Sequence, residues 1–90
     1  MKNLVSKING LEKNESIDIM HNGADYKIDC YVVYTSGRKS FSINKVSEYG
    51  RISSMNIQKI TNNFITLYSY DIFGNRNTAR IKVADITIKG

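Results

Sequence analysis

Apolar residues follow a helical period at the start of this chain and alternate in pairs afterwards. Leu4, Val5, Ile8 and Leu11 recur at helical spacing, with Lys2, Ser6 and Lys7 between them, which predicts a short helix over 2–11 that stops at Asn9-Gly10. Ile17 and Ile19 flank Asp18 and predict a half-buried strand over 16–21. Asn22-Gly23 suits a tight hairpin turn, after which Tyr26, Ile28, Cys30, Val32 and Tyr34 share one parity along a strand over 26–34. Tyr31 and Val33 make the opposite side of that strand partly apolar, so a central strand covered on both faces is expected, with the helix on one of them.

Thr35 to Arg38 turns the chain into a strand over 39–46, in which Phe41 and Ile43 alternate with Ser40, Ser42 and Asn44. The pattern is poorest over 54–60, where Met55 and Ile57 oppose Ile52 and Ile60 in parity; that segment is the expected sheet edge. Strands over 64–72 and 77–83 pair around Gly74-Asn75, a sequence suited to a two-residue type II′ turn. Inward parity then passes from Ile81 and Val83 to Ile86 and Ile88, predicting a bulge, a bend or one helical turn at Ala84-Asp85 before a last strand over 86–89. The expected fold is mainly β (α+β): a single domain over 1–90, with five to six antiparallel strands curved into a small barrel-like sheet and one short N-terminal helix.

Composition narrows the class without naming a function. With 41% hydrophobic and 23% charged residues, the chain has the make-up of a folded globule. No segment has the apolar length of a signal peptide or of a membrane span, so a cytoplasmic protein with no membrane partner is expected. Cys30 is the single cysteine and sits in an apolar strand, which predicts a buried thiol. Thirteen Lys and Arg against 8 Asp and Glu give a net charge of +5, which favours polyanions and equally suits plain solubility.

Catalytic chemistry finds little material. His21 is the only histidine and Cys30 the only cysteine, so paired imidazole ligands and a C-x-x-C zinc knuckle are both excluded. A four-residue loop over 22–25 would leave His21 and Cys30 roughly 13 Å apart along the hairpin, beyond proton transfer. Asp18, Asp25, Asp29, Asp71 and Asp85 lack the D-x-D-x-D spacing of a calcium loop, and no glycine-rich phosphate loop is present. No catalytic residue, metal or cofactor is therefore expected, and the chain reads as a binding protein.

Arg76, Thr78, Arg80 and Lys82 share one parity and predict a positive strip roughly 20 Å long, the spacing of several phosphates. Register decides what borders it. A two-residue turn sets Tyr68 opposite Ile81 and Tyr70 opposite Ala79, both rings inward, leaving an ordinary solvated face. A three-residue turn sets Tyr68 opposite Arg80 and Tyr70 opposite Thr78, as a base-stacking platform requires. Turn chemistry favours the first. The nucleic-acid expectation assigns Arg76, Arg80, Lys82 and Lys39 to the interface, Tyr68 or Tyr70 to stacking, and Arg38 and Arg51 to further phosphate contacts.

The segment from Gly50 to Gly90, GRISSMNIQKITNNFITLYSYDIFGNRNTARIKVADITIKG, has a Gly-led strand, an N-x-I-x-L strand, a Gly turn and a closing I-x-V-x-D-I-x-I. In these it resembles the strand series of small Sm-like and SH3-like barrels, and more narrowly the tail of YolD-like proteins of Firmicutes and their phages. The resemblance covers under half of the chain, and the N-terminal part of YolD-like proteins has no counterpart. It implies a small barrel, RNA binding and rings for the Sm-like case, and an association with DNA-damage responses for the YolD-like case. A short basic chain rich in Asn, Ile and Lys without an active site also suits a phage or mobile-element protein that inhibits or adapts a host protein, as anti-CRISPR and other anti-defence proteins do, through an uncovered sheet edge. A third expectation is a homo-oligomeric barrel holding a small anionic ligand between subunits.

Overall fold

A computed structural model describes residues 4–89, apart from the side chains of Arg51 and Ile52. Helix α1 spans Leu4–Asn9 and is shorter than the 2–11 expected; the part of that expectation resting on Lys2 lies outside the described residues. The helix closes where glycine frees the chain: the amide of Gly10 donates to the Ser6 carbonyl at 3.0 Å and that of Leu11 to the Ile8 carbonyl at 3.1 Å. The Lys39 ammonium then donates to the carbonyls of Asn9 (3.2 Å) and Leu11 (2.9 Å), supplying a positive charge where helix carbonyls are left unpaired.

The described residues form seven strands rather than five to six: β1 Ser16–His21, β2 Ala24–Val32, β3 Lys39–Ser47, β4 Gly50–Ile60, β5 Phe64–Tyr70, β6 Arg76–Lys82 and β7 Ile86–Ile88. They make one antiparallel sheet in the order β6-β5-β4-β3-β2-β1-β7. The segment expected to be an edge, 54–60, lies in β4 between β3 and β5, and the described edges are β6 and β7. Its weak alternation has another cause, a bulge between Ile57 and Lys59 that breaks the parity in mid-strand. The parity change after Ile81 is a 3-10 turn, Val83–Asp85, which carries the chain from edge strand β6 to edge strand β7. Three residues make that crossing, so the sheet must curl until its edges approach at this corner, and the result is a half-barrel.

The first hairpin turns in two residues, with His21 paired to Ala24 and positive φ at Asn22 (50°) and Gly23 (78°), as a type I′ turn demands. β2 therefore begins two residues before the expected Tyr26, and Tyr34 lies past its end, 95% exposed. Along the inner face Ile19, Ile28, Cys30, Ile43, Ile65 and Leu67 are buried, and Leu4, Ile8 and Leu11 close over them from the helix side. This single apolar layer is the core. The outer face of β2 is not covered: Tyr31 is 37% exposed and donates to Asn56 Oδ1 at 3.4 Å, in a row of polar side chains. Asn44, the buried polar residue of that face, donates to Asp29 Oδ2 at 2.5 Å and to Ser42 Oγ at 3.3 Å. No helix among the described residues is long and apolar enough to cross a membrane.

Ile28 is fully buried at the centre of this layer. Ile28→Ala is expected to remove about 2–5 kcal/mol of stability in a denaturant titration, whereas Tyr34→Ala should stay within about 0.5 kcal/mol. Equal effects of the two would contradict the inward parity assigned to β2.

Candidate functional site

The hairpin of β5 and β6 is set by a loop that closes on itself. Asp71 Oδ1 accepts the backbone amides of Phe73 and Asn75, each at 2.9 Å, while the Asp71 amide donates to the Asn75 carbonyl at 3.0 Å. Gly74 takes the positive φ (81°) that the closure needs. These bonds make a five-residue loop, Asp71–Asn75, in place of the two-residue turn expected at Gly74-Asn75. A short carboxylate that bonds backbone two residues ahead competes well against a bare turn. The amide of Asn75 foremost, with that of Phe73, also holds the Asp71 carboxyl below the usual carboxylate range.

Register follows from that loop. Tyr68 pairs with Thr78 and Tyr70 with Arg76, three residues away from the favoured expectation, and an odd slip exchanges faces. Ile65 and Leu67 turn inward, and Phe64, Tyr68 and Tyr70 stand outside with Arg76, Thr78, Arg80 and Lys82. Two branched aliphatic side chains fill the narrow core better than the Tyr rings, whose hydroxyls would have had to find partners there. The guanidinium of Arg76 lies 4.5 Å from the Tyr68 ring centroid and that of Arg80 lies 4.4 Å from the Phe64 centroid. Both are cation–π contacts, and Arg76 is further held by Gln58 Oε1 at 2.7 Å. Tyr68 and Tyr70 pack edge to face, with centroids 6.0 Å apart. The strip is thus a row of oriented rings and guanidinium planes, and its detail matches neither of the two expected faces.

Charge divides across the outer face of the sheet. Towards β1, β2 and β7, Lys27 pairs with Asp18 at 3.1 Å and Lys89 with Asp25 at 3.0 Å. Towards β6 stand Arg76, Arg80 and Lys82, all exposed, joined by Lys59 of β4, which pairs with Thr66 opposite Arg80. Sequence reasoning missed Lys59 and Phe64. The bulge hid the parity of Lys59, and Phe64 shares the parity of Tyr68 and Tyr70, a signal that acquires meaning only with the register. Lys39 is tied to the helix end, so its first role is structural. Arg38 is exposed beside it. The backbone of Arg51 pairs with Val46 near the β3–β4 turn, far along β4 from Lys59, and its side chain lies outside the described residues.

The loop of the same hairpin presents Ile72 and Phe73 outward, 93% and 82% exposed, next to Tyr70. Tyr70, Ile72 and Phe73 thus leave three large apolar side chains exposed close together in the chain at this end of the hairpin.

Elsewhere the chemistry is quiet. His21 packs against Tyr26 (centroids 6.2 Å apart), and Cys30 lies six positions beyond His21's partner Ala24, roughly 20 Å along the strand. The Cys30 thiol donates to the Leu11 carbonyl at 3.7 Å. Burial pushes that thiol up from its ordinary value, against the nearby charge of Lys39 that pulls it down. No three His, Cys, Asp or Glu side chains among the described residues are grouped to hold a metal ion.

Comparison with protein-family models, with curated proteins and with solved structures finds no match to this chain. The geometry of the site therefore carries the functional reading.

The lowered Asp71 carboxyl gives a signed pH effect. Because its folded value lies below the unfolded one, its contribution to loop order is complete above about pH 4, the ordinary aspartate value, and is lost as pH falls through the lower folded value. An NMR titration should show the Phe73 and Asn75 amides moving together with a midpoint below that of an unfolded aspartate. Asp71→Ala should abolish the transition; an unchanged titration in this variant would reassign it.

Proposed function

We propose that this protein is a non-catalytic nucleic-acid-binding protein that meets its ligand on the outer face of β5 and β6. The observation that carries this reading is the alternation of ring and guanidinium on one exposed strip, Arg76 over Tyr68 and Arg80 over Phe64. Guanidinium planes and aromatic rings are the groups on which bases stack, and the same guanidinium groups bond phosphate oxygens. Lys82 and Lys59 extend the positive field, and Asp18 and Asp25 are paired away on the far side of the sheet. Arg76 and Arg80 take the double role, Lys82 and Lys59 contact phosphates, and Tyr70 supplies an exposed ring.

The exposed Ile72-Phe73 tip favours a second reading, a mobile-element protein that inhibits or adapts a host protein. Apolar side chains of this kind act as anchors in a partner's pocket, and Arg76 follows the loop directly in the chain. In that reading the tip carries the affinity and the strip steers the encounter.

Salt separates the two. Binding of mixed-sequence single- and double-stranded oligonucleotides should weaken log-linearly between about 50 and 200 mM salt, with a slope of about −0.7 to −0.9 per phosphate contacted. The double variant Arg76→Ala/Arg80→Ala should flatten the slope by about 1.4–1.8, the share of the two phosphates that are no longer neutralised. Absence of binding at about 50 mM salt removes the nucleic-acid reading and leaves the tip.

A further inference from the structure

The sheet is continuous only in part. β3 and β4 pair from Ser47↔Gly50 to Ser42↔Asn56 and no further among the described residues. Beyond that point Phe41 and Lys39 pair only with β2, and Ile57, Lys59 and Ile60 only with β5. The register shifts between Ile57 and Lys59 where β4 leaves β3, and an open cleft of about 460 Å³ lies between the two strands, with Asn9 of α1 among its lining residues. That is the size of an ordinary small-molecule site, about 300–1,000 Å³. Every ionisable side chain lining it among the described residues is a cation, Arg38, Lys39 and Lys59. Phe41, Ile57 and Ile60 give it an apolar wall. A second cleft, by contrast, is lined by Asp18 and Asp25 as well as Lys27 and Lys89, and those charges are satisfied among themselves.

The cationic cleft adjoins the strip. Gln58 lines it and also accepts the Arg76 bond, and Lys59 stands at its rim beside Thr66. We infer that the cleft is a nucleotide site, taking one nucleoside monophosphate unit with its phosphate on Arg38 and Lys59 and its base and sugar against Phe41 and Ile57. The inference rests on the nucleic-acid reading above and sharpens it to single strands. A nucleotide of a single strand lying along β5 and β6 turns into the cleft past Gln58 with its base already unstacked. A nucleotide of a duplex reaches it only by extrusion from the stack, at a cost in pairing and stacking. Lys39, tied to the carbonyls of Asn9 and Leu11, contributes a charge fixed in place.

The same monophosphate unit is available from a free nucleotide or within a strand, and the test has an arm for each. Affinities are measured at about 50 mM salt for adenosine monophosphate, for a mixed-sequence single-stranded 12-mer and for its duplex, with the native chain and with Arg38→Gln/Lys59→Gln. Both positions are exposed, and native-like unfolding of the variant confirms that the fold is kept. The native chain should bind the single strand at least about tenfold more tightly than the duplex, and the variant should lose about tenfold for the single strand and about twofold for the duplex. Amides of Ser40 and Gln58 should shift on adding adenosine monophosphate if a free nucleotide is accepted, and only with the 12-mer if a strand is required. Equal single-strand and duplex affinities, or equal losses in the variant, overturn the cleft and leave the strip standing. No binding to any of the three ligands overturns both.

Discussion

The closure of Asp71 on the amides of Phe73 and Asn75 decides how β6 lies against β5, and the character of the outer face depends on it. Each residue of slip between antiparallel neighbours exchanges the sides on which side chains emerge. With the loop at five residues, Ile65, Leu67 and Ile81 complete the apolar layer, and the rings are left on the wet side with the arginines. Burial and loop chemistry agree here. The aliphatic parity of β5 would be wasted in the other register, and the carboxylate of Asp71 would lose its amides.

Curvature is the second constraint. A short stretch of 3-10 turn joins strands at opposite edges of the sheet, and this is possible only because the sheet coils back towards its own beginning. The coil gives the apolar layer an inside, and a six-residue helix suffices to cover it. The coil is also uneven. Where β4 bulges, it follows β5 and parts from β3, so the place that relieves the bend is the place where a cleft opens.

Electrostatics then separates the outer face into two territories. Acidic and basic side chains around β1, β2 and β7 neutralise one another in exposed pairs, which contribute little to stability but remove carboxylates from the field. The region from β4 to β6 keeps its cations, and two of them are braced against aromatic rings. A modest net charge of +5 thus becomes a local positive surface by arrangement rather than by quantity.

The helix around Leu4 and Ile8, the Asn22-Gly23 turn, the alternation of β2 and the break after Lys82 were legible in the amino-acid sequence because each is fixed by neighbours a few residues apart. Backbone preference and the period of apolar side chains are local properties. The same residues left open which strand forms the edge, because the bulge at Gln58 scrambles parity and the order of strands depends on the closing path of the whole chain. They also pointed Tyr68 and Tyr70 to the wrong side, since Gly74-Asn75 read alone is a good tight turn and only the competing bonds of Asp71 enlarge it. Lys39 showed its charge but not its occupation by the helix carbonyls. What the chain alone determined is a mainly β domain with a thin apolar layer and scattered positive charge. Tertiary structure decided which charges stand together, because pairing between strands brings distant residues within reach of one another, and a local pattern carries no record of that.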